Sequence, residues 1–587
     1  MAPDPVSGLF PWWVSLLAAL AWLGHAFLVG GALLPVRLRG GTVAWVVALA
    51  LGVGVVGAVC SLLAVMGWLS APALLLWLVV ASTAGWIHGG VRRLDLPRHP
   101  ALWVVLPLLL GSPVLAAMSP PVDTDEIYQH LALARRVAVG GALVGGFDVP
   151  DGSRPQLLHA LFAGIYGLGG PGAIRLFHLG LVLSLVFGAW LLADARFGKG
   201  SGAAPTLVLT TSYTFLHEAG LAYNDLPAAL WLLLGVVLSQ GGERVIGGVF
   251  LGLAVTAKFT AGPAVAVAIL LLGRGGLVTG AVATAVVVPW FLRNVMEGLH
   301  PLFPYAGWPH VEGFRFMYPE KYGVGHGWVD AILLPWNLLV NARVDSFAFY
   351  GQLSWGWAAL GVGAAWAARR DRELRGWLLV LLVGFVAWGS SAQIMRFLLP
   401  LAGLAGLCGA AAGRWRWVAL VLGLVSVPKN LGPILEEARG QFAVAAGREP
   451  TDAYLSRTMP AWPAVRFLRD EVPPDAPVAL LFAWHGYYVE QPYILGSVED
   501  HTPTRQFVVA SGDDPLAALR GRGVRYALVG DIRFIRKSYE FLPEAEWKAQ
   551  FVAPRDRLRS ALETGATRLF AEKKWEVWSL DAPAPGD

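Results

Sequence analysis

For about 430 residues, apolar runs of helix length alternate with short joints rich in Arg, Gly and Pro. A helical membrane span takes roughly 20 apolar residues, and shorter runs are tolerated inside a bundle. On that measure the pattern predicts about 14 spans: residues 11–34, 43–67, 70–88, 101–117, 174–193, 203–219, 225–240, 245–259, 261–273, 276–292, 352–368, 376–391, 397–413 and 415–428. The run PQLLHALFAGIYGLGG is too short to cross fully and fits a half-embedded or interfacial helix. From 429 the pattern changes. Charge, Pro and Asp rise, and the strand-like runs PVALLFA, VRYALVG and WEVWSL are separated by the helix-like PLAALRGRG. The expected architecture is a mainly α polytopic membrane bundle with a small C-terminal α/β domain. Its parts are N-terminal spans 1–117, a core 118–428 with large loops 118–173 and 293–351, and a soluble domain 429–587.

Composition agrees. Of 587 residues, 56% are hydrophobic and 14% charged, where a soluble chain carries about a quarter charged residues. The 26 Trp suit belts at two membrane interfaces. The net charge of +5 does not point to nucleic acid, because the Arg residues sit in short loops between spans. Arg37 and Arg39, Arg92, Arg93 and Arg98, Arg196 and Lys199, Arg244, Arg274, Arg369 to Arg375, and Arg414 and Arg416 all fall on one side. That side is expected to be the cytoplasm, with the large loops and the C-terminal domain on the extracytoplasmic face of the inner membrane. Cys60 and Cys408 lie in apolar runs and read as packing residues. The start MAPDPVSGLFPWW lacks the basic region of a cleaved signal peptide.

The densest acidic cluster, PPVDTDEIYQHL, directly follows the apolar run before residue 118. Asp123 and Glu126 have capping-box spacing, so both fit a helix start as well as chemistry. Asp125 is not needed for that cap. Arg136 follows about three helical turns later on a similar face. Four further sites fall at outer span ends: Asp225 in AYNDLP, Lys258 in AVTAKFTAG, Arg293 and Asn294 in PWFLRNVMEGLHPLFPY, and Arg396 in IMRFLLP. Asp225 also reads as a solvated helix cap and Arg293 as a snorkelling cation, while an ammonium at Lys258 needs an anion or water. Together they suit a lipid-linked phosphate held by cations, with a carboxylate deprotonating an acceptor hydroxyl.

In this order the motifs resemble the GT-C superfamily of membrane glycosyltransferases. Protein O-mannosyltransferases and lipid A aminoarabinose transferases belong to it and use polyprenyl-phosphate-linked sugars. The resemblance covers roughly 118–400, through "D…YHL", "AY.D", "G…TK.T" and "PW..RN…NP.YP" patterns of a bacterial branch. Tyr128 stands one place early, and His300 stands where Asn is usual. The spans before the acidic loop exceed the superfamily's usual one. The resemblance implies Asp125 as general base of an inverting transfer, with Asp225 and Glu126 as further acidic site residues. It implies Lys258, Arg293 and Arg396 around the donor phosphate, and Tyr128, His130, Arg136, Tyr223, Asn224, Asn294 and Tyr305 around the substrates. The implied partners are a polyprenyl-phosphate sugar, membrane lipid and an acceptor that is protein, lipid or glycan. No cofactor is expected; a divalent cation, if used, falls to Asp123 and Asp125. The aromatic run FAWHGYYVEQPY suits either sugar stacking or core packing. A transporter or a non-catalytic lipid-binding scaffold is the rival reading.

Overall fold

The computed structural model describes residues 6–581 apart from 89, 91–93, 148, 308–310, 312–321, 347, 497–501, 513, 531–535 and 537–538. Arg92 and Arg93 lie outside the described residues. The protein is mainly helical with one small sheet near the C-terminus. Six helices are individually long and apolar enough to cross a membrane, and shorter apolar helices pack among them. This is a multi-pass membrane protein. Trp12–Leu33, Ala44–Val65 and Ala71–Ile87 follow the expected spans within a residue or two.

Several spans are broken where chemistry later appears. The short apolar run and the next span join as Leu157–Phe197, interrupted at Gly170 (φ 67°, ψ −166°) before Pro171. A Cβ at Gly170 would lie 2.5 Å from the Gly8 carbonyl oxygen, so both the positive φ and the close approach call for glycine. The expected span 203–219 is two helices, Ala203–Thr210 and Tyr213–Ala219, parted at Thr211 and Ser212. Ser212 Oγ accepts from the Ser354 amide (3.0 Å), and Thr214 Oγ1 accepts from the Gln352 amide (2.9 Å), so a crossing segment satisfies the opened turn. Lys258 is extended (φ −149°, ψ 113°) between Arg244–Ala257 and Gly262–Leu270. The last long helix, Trp415–Ala445, does not stop at 428 but carries through to Ala445. An apolar helix not anticipated from the sequence, Trp328–Val340, lies in the loop 293–351 with Trp328, Ile332 and Trp336 exposed.

The sheet comprises β1 (Val478–Leu481), β2 (Tyr493–Ile494), β3 (Tyr526–Val529), β4 (Thr567–Glu572) and β5 (Trp575–Ser579), in the order β2-β1-β3-β5-β4. β1 is parallel to β2 and β3, and β5 is antiparallel to β3 and β4. The three runs read as strands are β1, β3 and β5; their Val, Tyr and Trp residues fit a half-buried pleat. PLAALRG forms the helix Pro515–Gly521, capped by Asp514. The aromatic run between β1 and β2 is buried, and core packing accounts for it. Tyr487 donates its amide to the Ile127 carbonyl (2.7 Å), Tyr488 donates its hydroxyl to Pro121 O (2.7 Å), and Tyr487 donates its hydroxyl to Ser7 O (2.8 Å). The domain is thus fastened to the acidic segment itself.

Candidate active site at the helix breaks

The segment holding PPVDTDEIYQHL enters a π-helical turn, Glu126–His130, which runs into the helix Leu131–Gly140. The capping box expected of Asp123 and Glu126 does not form. Asp123 Oδ1 accepts from the Asp125 amide (3.1 Å), while Glu126 turns inward. Glu126 is fully buried and bidentate to Arg175. Its Oε1 also accepts from the Ala222 amide at 2.7 Å. Arg175 spends a further N–H group on Ala116 O (2.6 Å) and Ser119 O (2.8 Å). Both groups are engaged in joining four chain segments, so Glu126 faces Arg175 and lines neither of the cavities described below.

Asp125 points the other way and pairs with Arg396. Arg396 stands at the start of the 3₁₀ segment Met395–Leu401. Asp225 is fully buried in the first turn of Asp225–Gln240 and pairs with Lys258 at 2.9 Å. The two cations share one aromatic ring: Lys258 Nζ lies 4.6 Å and the Arg396 guanidinium carbon 5.3 Å from the Phe397 centroid. Loss of water pushes the Asp125 carboxyl up from its ordinary value, and the Arg396 charge offsets only part of this. Water is also withdrawn from Asp123, yet hydrogen bonds from His217 and Tyr223 hold it down at about 2. Tyr223 donates its hydroxyl to Asp123.

Two cavities adjoin these pairs. One, of about 350 Å³, is lined by Asp123, Thr124, Arg396, His217, Glu218 and Glu437 among others. His217 bridges Asp123 (3.4 Å) and Glu437 (3.0 Å). The other is small and basic, with Arg154, Lys258, His130, His159, Asn224 and Tyr305 in its wall. His130 Nδ1 and His159 Nε2 are 3.0 Å apart with near-parallel rings. Burial, with His159 and the neighbouring cations adding to it, pushes His130 well below its ordinary pKa. Arg154 pairs with Asp151 (3.1 Å) and stacks 5.2 Å over Tyr305.

Of the sequence-predicted residues, Asp125, Asp225, Lys258, Arg396, His130, Tyr223, Asn224 and Tyr305 therefore gather here. Tyr128 is buried beside them, its hydroxyl donating to Gln129 Oε1 at 3.3 Å. Three others serve elsewhere. Arg293 pairs with Glu297 (2.8 Å) and donates to Gly152 O and Val144 O (2.9 Å each), so it fastens the loop before Leu157 and lines neither cavity. Asn294 is buried and holds Pro301 O (3.1 Å) and Phe303 O (3.2 Å). Arg136 stacks 4.5 Å over Tyr493 in the C-terminal domain. The Asp123 and Asp125 carboxylates named for a cation are each engaged by protein partners, as above. Sequence reasoning missed Arg154, His159, Arg175, His217, Glu218 and Glu437. Arg175, His217 and Glu218 carried a usable signal, namely ionisable side chains inside apolar runs.

The helical membrane bundle with its small C-terminal α/β domain has the fold of the GT-C membrane glycosyltransferases. ArnT from Cupriavidus metallidurans bound to undecaprenyl phosphate superposes with a TM-score of 0.50 at 16% identity, over 82% of this chain and 98% of that one. The same protein in the apo state gives 0.48 at 15%, over 86% and 100%. The Archaeoglobus fulgidus oligosaccharyltransferase tethered with an acceptor peptide gives 0.42 at 13%, over 82% and 75%. No family model matches the sequence, and no curated protein matches it.

Proposed function

We propose that the protein is a membrane glycosyltransferase. It moves a sugar from a polyprenyl-phosphate-linked donor to an acceptor hydroxyl on the extracytoplasmic face of the inner membrane, with inversion. The observation that carries this reading is the pairing of Asp125 with Arg396 and of Asp225 with Lys258 around one phenylalanine ring, between a basic and an acidic cavity. The undecaprenyl phosphate held by the ArnT structure supports the donor class.

In this reading the donor phosphate takes Lys258 and Arg396 as counter-ions, with Arg154 close by in the basic cavity. Asp125 then exchanges its guanidinium partner for the incoming hydroxyl. The acceptor oxygen forms a bond to the anomeric carbon as the bond from that carbon to the phosphate oxygen breaks. The hydroxyl proton passes to Asp125, and the lipid phosphate leaves with its charge met by the two cations. Asp225 keeps Lys258 aimed and assists in orienting the acceptor. A carboxyl group raised above its ordinary range is a stronger base once ionised, which suits this task. Asp125→Asn keeps shape and removes basicity, so kcat falls by roughly 10²–10⁴-fold with donor affinity and fold retained. Single-turnover transfer from a labelled polyprenyl-phosphate sugar measures it. Transfer by Asp125→Asn at near the wild-type rate overturns the assignment.

A further inference from the structure

Glu218 has no part in the chemistry above, yet it is the most conspicuous side chain in the acidic cavity. It is 1% exposed, it lines the cavity wall, and neither carboxyl oxygen has a hydrogen-bond partner among the described residues. It lies on Tyr213–Ala219, the short helix created by the break at Thr211 and Ser212, so the break is what turns it toward the cavity. A buried polar group left unpaired is costly and calls for an explanation beyond folding.

Charge matching narrows the explanation. The charged side chains that share the cavity wall with Glu218 are Asp123, Glu437, Arg396, His217 and Arg175, and Lys258 adjoins Arg396 across the Phe397 ring. Arg396 is paired with Asp125, Lys258 with Asp225, and His217 with Asp123 and Glu437. Arg175, also in the wall, is committed to Glu126. Each of these cations thus already has at least one carboxylate partner, and Glu218 has no cation in hydrogen-bond reach among the described residues. A bound lipid phosphate adds negative charge and draws on Lys258 and Arg396, which leaves Glu218 to be met by a neutral hydrogen-bonding group rather than by a cation. A neutral carboxyl group offers one O–H donor and one carbonyl acceptor, the complement of a sugar hydroxyl. The donor sugar is the nearer occupant. It must sit beside the phosphate cations, of which Arg396 lines the same cavity as Glu218.

We propose that Glu218 is a specificity-determining residue that hydrogen-bonds a ring hydroxyl of the donor sugar through both of its carboxyl oxygens. The inference rests on the glycosyltransferase reading and adds the group that reads the sugar. The test compares binding of bare decaprenyl phosphate with decaprenyl-phosphate-linked mannose, glucose and arabinose to the full-length protein in lipid nanodiscs. Wild type should bind at least one glycosylated lipid about tenfold or more tighter than the bare one. Glu218→Leu should bind bare decaprenyl phosphate within about threefold of wild type and lose most of that preference. Glu218→Gln, which keeps a donor and an acceptor, should retain it; a site that hydrogen-bonds a substrate hydroxyl discriminates strongly through the partner left unpaired. Thermal unfolding without lipid should leave Glu218→Leu at least as stable as wild type, since no fold contact is removed. Equal loss in Glu218→Gln and Glu218→Leu, retained preference in Glu218→Leu, or a lowered Tm in Glu218→Leu overturns the proposal. Binding of bare lipid with no preference among sugars overturns it while sparing the polyprenyl-phosphate reading. Failure to bind any of the four lipids overturns both.

Discussion

Arg175 is the side chain whose loss should cost the fold most. It is 2% exposed, in the second half of the broken helix Leu157–Phe197, and its partner Glu126 is fully buried. Replacing Arg175 by Met keeps the aliphatic length and removes the charge. Glu126 loses a bidentate partner and keeps the Ala222 amide, while the carbonyls of Ala116 and Ser119 each lose a donor. Removing one member of a buried ion pair costs about 3–5 kcal/mol, because the other charge stays buried without compensation. That is roughly two to nearly four powers of ten in the folding equilibrium. Glu126→Gln should cost a comparable amount. The double variant Arg175→Met with Glu126→Gln should cost less than the sum of the two by about 1.5 kcal/mol or more, the mark of groups in one network. Denaturant or thermal unfolding of the detergent-solubilised protein, followed by Trp fluorescence, supplies the three values. Additive losses below about 1 kcal/mol each would refute the claim that this pair holds the acidic segment in place.

Other outcomes are expected at the site and its supports. If the proposed base is Asp125, which works only when ionised and is raised above the ordinary carboxylate range by burial, kcat/KM should fall on acidification through a pKa above 3.8; an acid limb at or below that value would count against it. Asp123 is depressed from 3.8 to about 2, so it contributes stability that is present above 3.8 and lost as pH falls toward 2. Asp123→Asn should remove about 2 kcal/mol from the neutral-pH stability and flatten that limb of the unfolding profile. Arg293→Met should lower stability by about 1–3 kcal/mol through the freed Val144 and Gly152 carbonyls, with donor KM within about threefold. A tenfold rise in donor KM at unchanged Tm would instead put Arg293 on the phosphate.

Hydrophobic periodicity carried most of the architecture, because run length, Arg placement and the polar tail each answer to the solvent a segment meets. It did not carry the breaks. Thr211–Ser212 and Lys258 interrupt or end apolar runs without a proline at the break, and what holds the first break open is residues Gln352 to Ser354, more than 130 positions away. The residues that gather in the two ion pairs, Asp125, Asp225, Lys258 and Arg396, were legible because each charge stood near the end of a run. It was misread where a motif residue serves its own loop, as Arg293 and Asn294 do. The acidic triplet shows the limit most plainly. Three carboxylates within four positions face a histidine and tyrosine, an arginine at the site, and a buried arginine from another helix, and only the tertiary fold distinguishes them.

The clamp formed by Tyr487 and Tyr488 on Ile127 and Pro121 has a consequence for how the molecule comes into being. Asp125 is made early and its clamp late, with about 360 residues between them, a lag of roughly 20–70 s at about 5–20 residues per second of translation. The tyrosines themselves lie between β1 and β2, and β1 is completed only by pairing with β3, whose other neighbour is β5. The turn that carries Asp125 therefore gains its last supports only when β3 and β5 have emerged and folded. A ribosome-bound or truncated chain would hold every span and every reactive side chain and still leave the turn that carries Asp125 unfastened. The proposed activity is tied in this way to synthesis of the C-terminal sheet, about 360 residues after the turn it fastens.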